Sequence, residues 1–123
     1  MSPRKNPSRK RSTRKAAAER PPARATRDAR LAALELRFEP VTVDRWADLE
    51  ALFGERGACS GCWCMWWRLS RPKYEAQKGA GNRRALRRIV QSGEVPGILA
   101  YDGARPVGWC SLGPRSAFPR LER

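Results

Sequence analysis

Apolar side chains recur along this chain with two periods, and each period predicts an element. In "LELRFEPVTVD", residues 34–44, Leu36 and Phe38 alternate with Arg37 and Glu39. That is the period of a half-buried strand, and Pro40 marks its exit. Thr42 or Asp44 then caps "DRWADLEALFG", where Trp46, Leu49, Leu52 and Phe53 repeat at three- and four-residue spacing and Gly54 supplies a left-handed stop. A second helical run begins at "SRPKYEAQKGAG" and breaks at Gly79 to Gly81; Asn82 recaps "NRRALRRIVQSG", whose stripe is Leu86, Ile89 and Val90 and whose end is Gly93. In "GILAYDGARPVGWCSL" two β-rich runs flank Asp102-Gly103, a pair suited to a tight hairpin turn, so Ile98–Tyr101 should pair antiparallel with about Arg105–Leu112. Gly108 predicts a bulge or a close backbone approach, and Pro106 belongs at the start of its strand. "GPRSAFPRLER" reads as a turn and the beginning of something further. The order is strand, helix, helix, strand, strand: an α/β chain with a mixed sheet.

The stretch "GACSGCWCMWWR", residues 57–68, fits neither period. It holds Cys59, Cys62 and Cys64 with three of the chain's five tryptophans. A structural zinc site needs four ligands in tetrahedral array, commonly two spaced pairs. Here the pairs are uneven, the fourth thiol, Cys110, is isolated, and the chain has no histidine. Packed thiols are therefore preferred to a metal site. A thioredoxin-like C-x-x-C stands at a helix N-terminus after a strand, whereas Cys59-Ser60-Gly61-Cys62 follows a helix and a turn, which disfavours a redox reading. Large groups at 63, 65, 66 and 67 would point all round a helix, so some line a cleft or meet a partner, with core filling as the open alternative. "KGAGNRR", residues 78–84, could cradle phosphate at a helix start, but no strand precedes it, and a helix break and recap is the preferred account. Without histidine, proton transfer would fall to carboxylates, Tyr74, Tyr101 or a thiol, and no carboxylate pair stands out.

Composition then divides the chain. It has 123 residues, room for one domain, with 26 basic and 12 acidic side chains. Residues 1–30 hold eleven of the basic and two of the acidic ones, contain no aromatic residue, and are expected to be a disordered Arg/Lys-rich tail. Residues 31–123 are the expected domain. The "RKRSTRK" cluster would be attracted to nucleic-acid phosphates, though no stacking aromatic accompanies it, and a solvated arm is the plainer reading. No apolar run approaches a membrane span and no apolar segment of a secretory leader follows the basic start, which predicts a cytoplasmic protein; the acid-poor beginning also has the flavour of an organellar transit peptide. In a reducing compartment the four cysteines are thiols or ligands before disulfides.

"ILAYDGARPVGWCSL" resembles the second and third strands of the GNAT superfamily of N-acetyltransferases, and "LRFEPVTVDRWADLEALFG" is similar to that fold's first strand and helix. "CSGCWCMWWR" and "SLGPRSAFPRLER" look like one bacterial-type subgroup with a Cys/Trp-rich segment after the first helix. The resemblance spans about Leu34 to Arg123 and implies acetyl transfer from acetyl-coenzyme A to an amine. In that family a loop Q/R-x-x-G-x-G/A at a helix start binds the cofactor's pyrophosphate. The nearest match, Arg105 to Cys110, departs at its last position and lies in the predicted hairpin, and the chain ends at Arg123 before the family's fourth strand would begin. The resemblance thus implies an acceptor-side half, inactive alone and not expected to bind acetyl-coenzyme A. Its partner would be a complementary C-terminal half or another copy of the chain. No catalytic residue carries over; Trp63, Met65, Trp66, Arg68 and Trp109 are the expected acceptor-binding wall.

Overall fold

The computed structural model describes residues 23–122, with side chains from residue 26 onward. Two compact units divide between Ala33 and Leu34. In the first, α1 spans Ala23–Ala32. Residues 23–30 of the stretch expected to be a disordered tail thus carry helical backbone, in keeping with the helical propensity of their alanines and arginines, and side chains 26–32 are exposed. Residues 1–22, with the "RKRSTRK" cluster, lie outside the described residues.

The second unit combines helices with one three-stranded antiparallel sheet, a mixed α/β class. Its strands are β1 (Leu36–Pro40), β2 (Gly97–Asp102) and β3 (Arg105–Ser111), in spatial order β1-β2-β3. Between β1 and β2 come α2 (Trp46–Phe53), α3 (Arg71–Ala76) and α4 (Ala80–Gln91). The predicted order with two intervening helices is corrected to three. The long second run splits earlier than expected, at Gln77–Gly79, because Gly79 takes φ +83° and α4 starts at Ala80. Asn82 accordingly does not recap anything. It sits inside the first turn of α4, fully buried.

The hairpin forms as its turn chemistry predicts. Asp102 pairs with Arg105 around Gly103, at φ +61°, and the register slips between Ala100 and Tyr101, leaving Val107 as the extra residue beside Gly108. Gly54, at φ +67°, ends α2 and donates its N–H to Glu50 O at 2.9 Å. After β3 the chain makes two single 3-10 turns, Arg115–Ala117 and Pro119–Leu121.

The core gathers on one face of the sheet. Leu99 and Tyr101 of β2 meet Trp46, Leu49 and Phe53 of α2, Leu86 and Val90 of α4, and Trp63 and Met65 of the intervening segment. On β1 the alternation is real but its sense is the reverse of a half-buried strand. Phe38 lies opposite Ala100 and Leu36 opposite Asp102, on the face away from the core, where they are 61% and 41% exposed. Arg37 and Glu39 take the helix side at the sheet's rim. Arg37 covers the Tyr101 ring at 5.1 Å, and Glu39 pairs with Arg45 at 3.2 Å. No helix among the described residues is long and apolar enough to cross a membrane.

Candidate functional site

The Cys/Trp segment is positioned by backbone. Within residues 57–64, Gly57, Ala58, Ser60, Gly61, Trp63 and Cys64 all have positive φ, four of them non-glycine. Each left-handed non-glycine residue costs about 1–3 kcal/mol, and such strain clusters at functional sites. Close internal hydrogen bonds hold it: Gly61 N–H to Arg56 O at 2.7 Å, Cys62 N–H to Cys59 O at 2.8 Å, and Trp63 N–H to Gly57 O at 3.1 Å. The coil is fastened to α4 through Gly61 O, which accepts from Gly79 N–H at 2.9 Å and from the buried Asn82 Nδ2 at 3.1 Å. The left-handed turn at Trp63 sends its indole inward over Gly57, where a Cβ would collide with the ring.

Around Trp63 a cleft of about 510 Å³ opens between α2 and the start of α4, lined chiefly by Glu50, Glu55, Trp63, Gly79, Ala80 and Arg83. From the Trp63 wall a ladder of rings and cations runs back into the molecule. Arg83 lies over Trp63 at 5.5 Å, Trp63 stacks on Trp46 at 6.2 Å, and Arg87 lies over Trp46 at 5.9 Å. Glu50 ties the ladder together by accepting from Trp46 Nε1 and from Arg83 Nε at 3.1 Å. Burial alone would push the Glu50 carboxyl up; hydrogen bonds from Arg83 and Trp46, with the charges of Arg83 and Arg87, outweigh it and hold the group below its ordinary value. With Oε1 accepting from both Trp46 and Arg83, Glu50 is an ionised anchor of the wall. Glu55 is exposed at the rim, so two carboxylates and one guanidinium leave the cleft with one net negative charge. An aromatic face beside carboxylates suits a cationic amine.

The five predicted wall residues do not share one site. Trp63 lines this cleft, and Met65 and Arg68 line a second cavity of about 360 Å³ with Leu69 and Arg88. Met65 is core, 2% exposed. Arg68 is a strut: its guanidinium donates to Pro96 O at 3.2 Å and Leu112 O at 3.3 Å and covers Phe118 at 4.6 Å, while its buried Nε has no hydrogen-bond partner. Burial pulls its pKa below the usual guanidinium value, against the charges of Glu94 and Cys64. Trp66 is edge-on to Tyr74 at 5.1 Å and under Arg120 at 3.9 Å. Trp109 donates from Nε1 to Cys64 Sγ at 3.3 Å, and it meets Trp63 only through Phe53, whose ring is 5.7 Å from one and 5.5 Å from the other.

Sequence reasoning missed Glu50, Arg83 and Asn82. The Trp46 and Glu50 spacing of four on one helix was a usable signal. Glu50 to Arg83 and Asn82 to Gly61 join distant segments and had none.

Among the described residues, no three cysteine or carboxylate side chains converge to hold a metal ion, and all four cysteines are free thiols. Nor does either glycine-containing stretch fit a pyrophosphate cradle. Residues 105–110 are extended in β3 in register with β2. At the start of α4, Gly79 N–H and Asn82 N–H are already donated to Gly61 O and Gln77 O. Comparison of the chain with protein-family models, with curated proteins and with solved structures finds no match in any of the three.

Proposed function

We propose that residues 34–122 are the acceptor-amine side of a GNAT-type N-acetyltransferase, whose thioester-binding side is supplied by a complementary half; another copy of the chain is the alternative cover for its open sheet face. The observation that carries this reading is the two-faced apolarity of the sheet. Leu99, Tyr101 and Trp109 face the helices, while Leu36, Phe38, Ile98 and Ala100 form a second apolar surface on the opposite face. A sheet apolar on both faces is the middle layer of a three-layer α/β structure. Polypeptide that adds a strand beside β3 and helices over Phe38 would complete such a layer.

In this reading the Trp63 cleft receives the amine as an ammonium ion, with the indole and Glu55 orienting it and Glu50 fixing the wall. Acetyl-coenzyme A, held by the complementary half, supplies the activated acyl group. This chain's contribution is placement of the acceptor, which is where much of the rate of a two-substrate reaction comes from. Four free thiols accord with a cytoplasmic setting.

The test has two arms on the full chain. Spermidine, a primary polyamine, should quench tryptophan fluorescence saturably, and Glu55→Gln should weaken that quench several-fold. Acetyl-coenzyme A should leave the melting temperature of the chain unchanged. Absence of amine binding overturns the acceptor assignment; a clear upward shift with acetyl-coenzyme A overturns the division into halves.

A further inference from the structure

The thiols of the 57–64 coil are not equivalent. Cys64 is occupied by Trp109 Nε1 at 3.3 Å, and Cys110 is out on β3. Cys59 and Cys62 instead occupy the ends of one tight turn. Cys62 N–H donates to Cys59 O at 2.8 Å, and the two residues between them, Ser60 and Gly61, both have positive φ, at +47° and +75°. That is a turn of the primed class. Such a hydrogen-bonded turn brings its first and last Cα atoms within about 7 Å, and a disulfide bridges Cα atoms about 4.4–6.8 Å apart. The turn therefore holds the two Cα atoms at a separation close to that of a disulfide.

Electrostatics link the pair to a neighbouring tyrosine. The buried Tyr74 hydroxyl has its pKa pushed up to about 12, first by burial, then by hydrogen bonding with Cys62 and by the charges of Cys62, Glu75 and Cys59. Access differs usefully between the two thiols: Cys59 is exposed and Cys62 is half-buried. An outer thiol that meets the reagent and an inner thiol that resolves the product make a working pair.

We infer that Cys59 and Cys62 are a dithiol modification site, converted to an intrachain disulfide by a low-molecular-weight disulfide of the glutathione class. The thiolate of Cys59 attacks one sulfur of the reagent, forming a mixed disulfide and expelling one thiolate. The thiolate of Cys62 then attacks Cys59 Sγ, forming the Cys59–Cys62 bond and expelling the second. The chain gives up two electrons and two protons, and the reagent leaves as two thiols. Gly61, inside the closed ring, keeps its carbonyl on Gly79 and Asn82, so the oxidised turn anchors the start of α4 beside the cleft. The inference stands on thiol geometry and does not depend on the acetyltransferase reading.

Treatment of the reduced full chain with oxidised glutathione, followed by alkylation and tryptic mapping, is the test. The expected product is the peptide of residues 57–68 lacking two hydrogens, with Cys64 still alkylatable and no glutathione attached. Cys110→Ser should leave that product unchanged. Cys59→Ser, a change at an exposed position, should abolish it. A stable glutathione adduct on Cys59, a bridge involving Cys64 or Cys110, or full alkylation of all four thiols after treatment overturns the assignment.

Discussion

The two faces of the three-stranded sheet carry the same kind of side chain and have opposite fates. Leu99, facing the helices, is fully buried between α2 and α4 residues, whereas Phe38, on the neighbouring strand and the other face, is 61% exposed. Apolar character did not choose between them. What chose was supply: α2, α4 and the Cys/Trp coil together fill one side of the sheet, and Arg37 and Glu39 close its rim through Tyr101 and Arg45. The opposite face keeps Phe38 and Leu36 exposed.

The largest expected effect lies on the filled face. Leu99→Ala removes a fully buried side chain at the centre of the core and should cost about 2–5 kcal/mol in urea unfolding. Gly57→Ala comes next. It places a methyl against the Trp63 indole at a backbone φ of +59°, and overpacking of that kind costs about 1–3 kcal/mol. A loss of Trp63 burial in the near-ultraviolet circular dichroism should accompany it.

Tyr101→Phe probes the rim. The phenol donates to Asp48 Oδ2 at 2.7 Å, and burial, followed by that hydrogen bond and the Asp48 charge, raises its pKa from 10 to about 12 against the opposing pull of Arg45 and Arg37. A raised pKa on this group means that the folded state favours the neutral phenol. Its contribution is complete below the ordinary value of 10 and is lost as pH climbs toward about 12. Wild-type stability should therefore fall across that window, and the variant should show a shallower fall together with a loss of about 1–2 kcal/mol near neutrality.

The smallest effect belongs to the open face. Phe38→Ala should change the stability of the isolated chain by less than about 1 kcal/mol. A cost equal to that of Leu99→Ala would show that the second face is covered in the free chain, and the comparison between the faces would collapse. Sedimentation of wild type against Phe38→Asp sharpens the same point. If another copy is the occupant, the charge should abolish self-association.

Much of the fold was legible because it is written locally. Asp102-Gly103 determines a hairpin by the backbone angles that it tolerates, Gly54 ends α2 for the same reason, and the spacing of Trp46, Leu49 and Phe53 identifies a buried helix face. The site was legible only in part. Trp63 was marked by the density of aromatic residues around it, yet Met65 joined the core, Arg68 became a strut, and Trp66 and Trp109 went to other neighbours. Trp109 takes its direction from the β3 register, whereas the segment from Trp63 to Arg68 follows left-handed backbone at Ala58, Ser60, Trp63 and Cys64, which no local preference of those residue types would announce.

By itself the sequence determined β1, α2 and the β2–β3 hairpin, since periodicity, capping and turn angles act over only a few residues. The tertiary structure decided which face of β1 looks inward, that Asn82 holds the Cys/Trp coil instead of capping a helix, and that Glu50 meets Arg83 across 33 positions. Burial and long-range hydrogen bonding are properties of surfaces brought together, and a strand's alternation specifies two faces without saying which of them finds a neighbour.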